Sequence, residues 1–188
     1  MTVEPIRDKK RITAMQTYLK GRRLRDWLLF NVGINTGLRV RDMLNLKVED
    51  VLTAKGTFRQ HLILKEEKTG KEKKIKLNNA VKKYIKTYLQ TIEYNQDTYL
   101  FQSRKGNNRP ITRVQAYREL KSAASCVGIE NFGTHSMRKT WGYWSYRASR
   151  YNIGLIMDTF NHSSPVITLR YIGISQDQKD ELYSAVEF

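Results

Sequence analysis

Apolar side chains recur at helical spacing from Ile12 to Leu19 and again from Leu24 to about Asn35, and Gly37 interrupts the second run. A further short helix is predicted from Val40 to Leu46. From Thr57 to Leu64 the residues are strand-prone. The polar run Lys65–Lys74, which contains Thr69-Gly70, follows, and then Ile75 and Leu77 alternate with lysines. This pattern predicts a β-hairpin with a strongly basic tip. Helical periodicity returns at about Asn79–Ile92, Thr112–Val127, Thr134–Ala148, Asn152–Phe160 and Val166–Tyr171. Beyond Tyr171, Ser175 and Gln178 have the spacing of a capping box, and Leu182, Tyr183 and Val186 fall on one helical stripe. A C-terminal helix within residues 174–188 either packs on its own domain or is exchanged with a neighbour; the pattern permits both. The fold class is α+β, mostly α-helical with one small antiparallel sheet.

No internal repeat or low-complexity segment divides the chain, and the 3 prolines are too sparse to mark a linker, so residues 1–188 are read as a single domain. A hydrophobic fraction of 40% is enough to offset ordering entropy and excludes a disordered chain. Charge changes the picture more. Lys and Arg number 34 against 18 Asp and Glu, a formal charge of +16, which favours a polyanionic partner through counterion release. Nucleic acid is the default, with anionic lipid or a merely solvated basic surface as alternatives. The single cysteine, Cys126, allows no internal disulfide and reads as a small buried side chain. No signal-peptide core is visible, and no stretch nears the roughly 20 apolar residues that span a bilayer, so a soluble cytoplasmic protein of a bacterial or phage-infected cell is expected.

Three segments carry candidate chemistry. In Thr36-Gly37-Leu38-Arg39-Val40-Arg41-Asp42 a glycine turn presents Arg39 at the opening of a helix, where its planar fork suits a phosphate and Asp42 could brace it. Taken alone, the same residues read more readily as an ordinary surface Arg–Asp pair on a helix. In Thr134-His135-Ser136-Met137-Arg138 the imidazole and guanidinium are three apart, neighbours on one helix face, and could bind phosphate oxygens and move a proton, or simply decorate a solvated face. His162 precedes Tyr171 by nine residues, and Tyr171, one of 11 tyrosines, is by itself more often a core or rim residue. The three histidines, His61, His135 and His162, lack zinc-site spacing and the carboxylates form no ligand cluster, so neither a metal nor another cofactor is expected.

Taken in order, Arg39 after Thr-Gly-Leu, the hairpin tip Lys68-Thr69-Gly70-Lys71, His135-x-x-Arg138, His162 and then Tyr171 resemble the tyrosine site-specific recombinase (phage integrase) family, over roughly residues 10 to 186. The resemblance implies an enzyme that cuts and rejoins double-stranded DNA through a 3′-phosphotyrosine, without metal or ATP. It implies that Arg39 and Arg138 are the two catalytic arginines, Lys68 the hairpin lysine, His135 and His162 the two histidines, Tyr171 the nucleophile and Asp42 the supporting acid. Lys65, Lys71, Lys73, Lys74, Arg41 and Lys139 are expected to contact DNA. A homo-oligomer, a tetramer, is implied on DNA, with a monomer open for the free protein. A type IB topoisomerase would use similar chemistry, but the short chain and the spacing from His162 to Tyr171 look more like an integrase. Two features depart from the family. Asn161 stands where glycine usually precedes the histidine, and the N-terminal domain that completes a clamp around DNA is expected to be absent. The second departure supports an alternative: a DNA-binding accessory or regulatory protein of the same fold without autonomous recombination.

Overall fold

The computed structural model describes residues 3–65, 70, 72–174 and 183–186. Lys68, Lys71 and most of the helix expected after Tyr171 lie outside the described residues. Helix α1 (Lys9–Arg22) starts where the Asp8 side chain accepts from the Lys10 N–H. Helix α2 (Leu24–Thr36) is buried over nearly its whole length and ends at Gly37. Two short helices follow, α3 (Val40–Leu44) and α4 (Val48–Val51), the second not foreseen from the pattern. Strands β1 (His61–Lys65) and β2 (Glu72–Lys76) form an antiparallel hairpin that pairs Leu62 with Ile75 and Leu64 with Lys73. Helices α5 (Asn79–Leu89), α6 (Arg113–Cys126), α7 (Ser136–Ala148), α8 (Ile153–Phe160) and α9 (Pro165–Ile172) complete the described chain. This is the mostly helical α+β architecture expected, with one two-stranded sheet among the described residues.

Helix α2 is the axis of the molecule: it packs against α1, α5 and α7, and its Leu28, Leu29 and Phe30 have no solvent exposure. The approach of α2 to α7 requires glycine. A Cβ on Gly33 would sit 2.6 Å from the Met137 Sδ, so the two helices could not lie this close with any side chain there. A second, smaller apolar cluster of Ile156, Phe160 and Ile172, with Trp141 and Tyr171 against it, holds α8 and α9 on the far side of α7. Helix α7 therefore stands between the main core and a thin outer layer. Residues 3–7 lie along it: the Ile6 N–H donates to Thr140 Oγ1 at 2.8 Å, and Trp144 Nε1 donates to the Ile6 carbonyl at 3.0 Å. Cys126 ends α6 with its side chain exposed, which corrects the buried placement expected from its type; a helix's final turn protrudes beyond the face that packs.

Candidate active site

Gly37 adopts the left-handed conformation (φ 64°, ψ 17°) and donates its N–H to the Gly33 carbonyl at 3.1 Å, closing α2. A Cβ there would also lie 2.6 Å from Trp141, so the turn excludes side chains twice over. The chain then places Arg39 as the N-terminal flanking residue of α3, with its Nη1 4.0 Å from Asp42 Oδ2. Arg138 reaches the same turn from α7. It is 3% exposed, and its Nη1 donates to the Gly37 carbonyl at 2.5 Å and its Nη2 to the Phe160 carbonyl at 3.4 Å. Its guanidinium lies 4.2 Å above the Phe160 ring centre. One buried cation thus ties the α2–α3 turn, α7 and the end of α8 together.

The Nδ1 of His135, at the start of α7, lies 3.3 Å from the Tyr171 hydroxyl on α9. Desolvation of its packed edge, then the charges of Arg138, Lys139, Arg39 and Arg113, hold the His135 pKa below the ordinary imidazole value. Burial raises the Tyr171 pKa, opposed by the charge of Arg138, a hydrogen bond from it, and the charge of Arg39. A hydroxyl that holds its proton therefore faces an imidazole whose charged form is disfavoured, and its Nδ1 can accept that proton in the tautomer that carries its own on Nε2. His162 completes the group, its ring centre 5.1 Å from that of Tyr171 in an edge-to-face arrangement, and its pKa is lowered by burial and then by Arg138 and Arg39. The residue before it, Asn161, is left-handed (φ 55°, ψ 49°). That conformation suits glycine best and asparagine next, so the departure at Asn161 preserves the turn that aims His162.

Arg39, Asp42, Arg138, His135, His162 and Tyr171 are thus brought together from four places in the chain. The basic residues divide. Lys65, Lys74 and Arg41 are exposed. Lys73 is half-buried: the strand's period of two turns it to the face of Ile75, and its Nζ donates to the Thr159 carbonyl at 2.5 Å, at the C-terminal end of α8. Lys139 is covered too. It is 9% exposed, its Nζ donates to the Val3 carbonyl at 2.7 Å, and it lies 5.3 Å from the Tyr171 ring centre, so residues 3–7 cover it. Two participants were not foreseen: Phe160, the platform for Arg138, and Thr168, whose hydroxyl is 3.1 Å from His162 Nδ1. Thr168 stands three residues before Tyr171, on the same helix face, and that spacing was the available signal. Among the described residues, no group of three His, Cys, Asp or Glu could hold a metal ion, and no helix is long and apolar enough to cross a membrane.

The sequence profile of the phage integrase family matches residues 7–178. A probable integrase/recombinase of Bacillus subtilis (strain 168), YoeC, is 41% identical over 181 residues, covering 96% of this chain and 95% of that protein. A tyrosine recombinase of Agathobacter rectalis is 29% identical over 179 residues; the match covers 93% of this chain but only 56% of that protein. Among solved structures, the XerA recombinase superposes with a TM-score of 0.76 at 18% identity, over 100% of this chain and 66% of that one. A λ integrase dimer bound to a core site superposes with a TM-score of 0.67 at 15% identity, over 92% of this chain and 49% of that one.

Proposed function

The chain belongs to the phage integrase family and is a recombinase enzyme, and from that premise we propose that it cleaves and rejoins double-stranded DNA through a covalent bond between Tyr171 and a 3′-phosphate. The observation that carries this reading is the 3.3 Å approach of His135 Nδ1 to the Tyr171 hydroxyl, with Arg138 and Arg39 beside them. In the first step the Tyr171 oxygen attacks phosphorus, its proton passes to His135, and the bond from phosphorus to the 5′-oxygen breaks. Arg39 and Arg138 hold the non-bridging oxygens as charge builds on them, each such donor contributing about 3 kcal/mol to the transition state. Lys68, which lies between β1 and β2 in sequence, delivers a proton to the departing 5′-oxygen. A 5′-hydroxyl from a second strand then attacks the phosphotyrosine and the steps run in reverse, so the energy of the broken bond is conserved and neither ATP nor a metal takes part.

Exposed Lys65, Lys74 and Arg41 contact backbone phosphates, joined by Lys71. Leu155 and Val166, on α8 and α9, are 58% and 64% exposed, and so are Tyr183 and Val186 beyond them, at 78% and 57%. These apolar surfaces support assembly of several copies on DNA, a tetramer, in which the segment after Tyr171 docks on a neighbour. Deleting residues 175–188 then weakens assembly on DNA while leaving the melting temperature of the free domain nearly unchanged; outright unfolding would place that segment in its own core.

The reaction is tested with nicked duplexes carrying the cognate site, which trap a protein–DNA adduct. The adduct maps to Tyr171 by mass spectrometry, vanishes in Tyr171→Phe and slows in His135→Gln. An adduct that survives Tyr171→Phe refutes the assignment of the nucleophile. Salt-sensitive binding with no adduct at all supports the accessory DNA-binding protein instead.

A further inference from the structure

Thr168 is fully buried on α9, one turn before Tyr171. Its Oγ1 lies 2.9 Å from the Ser164 carbonyl oxygen and 3.1 Å from His162 Nδ1. A threonine hydroxyl has one proton to give, and a carbonyl oxygen can only accept. The proton therefore goes to Ser164, and the contact with His162 is a hydrogen bond only when the imidazole carries its own proton on Nδ1. The opposite assignment sets two oxygens 2.9 Å apart with no proton between them. With the ring proton on Nδ1, the neutral ring has a bare Nε2 on the edge directed away from Thr168.

We propose that Thr168 is a positioning residue: it fixes His162 as the Nδ1–H tautomer, so that Nε2 is the nitrogen that meets the scissile phosphate and takes up a proton there. The phosphate step rests on the function proposed above, whereas the tautomer does not. A bare Nε2 offers a lone pair to an anionic oxygen, which is repulsive. One proton taken from solvent converts it to an N–H donor, and His162 makes or breaks no bond in the DNA. The groups around the ring act against that proton until DNA arrives. Arg138 from α7 and Arg39 before α3 repel it, burial disfavours the charge, and Tyr171 across from it is neutral. Lys73 of β2 is bound to Thr159, three residues before His162. The bound phosphate offsets the arginines, so engagement of DNA is coupled to uptake of one proton at His162.

Long-range proton–nitrogen NMR of the full chain at neutral pH reads the tautomer directly, with His162→Gln assigning the signal. The expected result is Nδ1–H in the wild type, its loss in Thr168→Val, which keeps the shape without the hydroxyl, and its return in Thr168→Ser. On nicked duplexes, Thr168→Val is expected to slow adduct formation on the order of tenfold and to displace the alkaline limb of the pH–rate profile, with Thr168→Ser restoring both. A wild-type ring protonated on Nε2 overturns the inference without recourse to any variant. So does Thr168→Val with an unchanged tautomer and pH profile, or Thr168→Ser as impaired as Thr168→Val, which would mark a packing role. Tautomers that respond as expected in a protein that forms no adduct would support the lock on His162 and sink the proposed reaction.

Discussion

Gly142→Ala separates stability from catalysis in this molecule. Gly142 lies on the face of α7 that meets the outer layer, and a Cβ there would stand 2.7 Å from Ile172 Cγ2 and 2.8 Å from two carbons of the Phe160 ring. Carbon atoms in van der Waals contact sit at least about 3.5 Å apart, so α8 and α9 must retreat by roughly 0.8 Å. Overpacking of this kind costs about 1–3 kcal/mol, and alanine in place of glycine in a helix returns about 1 kcal/mol. The net loss is about 0–2 kcal/mol, a fall in melting temperature of no more than about 8 °C for a chain of this size. Catalysis is far more sensitive. Phe160 carries Arg138, and α9 carries Tyr171, so the retreat shifts the tyrosine relative to the arginine and His135. A displacement near 1 Å costs on the order of 100-fold in rate. Thermal melting together with the rate of adduct formation on a nicked duplex measures both quantities. An adduct rate within about threefold of wild type, in a variant that melts normally, would refute the coupling of α7 packing to the geometry of the site.

Gly37→Ala is expected to destabilise by about 1–3 kcal/mol, from the left-handed backbone and the clash with Trp141, and to abolish adduct formation because the Gly37 carbonyl anchors Arg138; denaturant melts and the adduct assay check the two parts. His135 and His162 both have lowered folded pKa values, so the unfolded chain binds protons first as pH falls, and stability should be lost from about pH 6.5 downward; thermal melts from pH 7.5 to 5 should show a smaller loss in a His135→Gln, His162→Gln double variant. The raised pKa of Tyr171 acts at the other end: the unfolded chain releases that proton near pH 10 while the folded one keeps it, so stability falls above that pH and Tyr171→Phe removes this share of the loss. If neutral His135 accepts the Tyr171 proton, the adduct rate stays level down to about pH 6.5 and declines only below it, and His135→Gln loses that acid limb along with most of its rate.

Much of the fold was legible because its elements announce themselves locally. The apolar periodicity of α2, α5, α6 and α7 marked them within a few residues of their observed ends, and Gly37 marked the turn before Arg39. Helix α4, four residues long, offers too few positions for any period to register. The burial of the hairpin lysines was less legible. Alternation puts Lys73 on the face of Ile75 and Lys74 on the opposite one, but a run of lysines reads as uniformly exposed until α8 supplies a carbonyl for one of them. The burial of Lys139 was hidden for a similar reason. Its partner, the Val3 carbonyl, lies 136 positions away in sequence, and nothing local foretells that a lysine on a helix carrying Arg138 is covered by the start of the chain.

The order of residues by itself determined which side chains compose the candidate site: arginines, histidines and a tyrosine of suitable chemistry, each at a recognisable local landmark. Only the tertiary structure decided how they act on one another. Arg39 and Arg138 are 99 positions apart, and they meet because glycine at position 33 lets α2 and α7 close on each other, while glycine at 142 lets α8 and α9 settle against α7. Burial then raises the tyrosine's pKa and lowers those of the histidines, a change no single segment encodes, because desolvation and the field of two arginines exist only once distant parts of the chain have packed together.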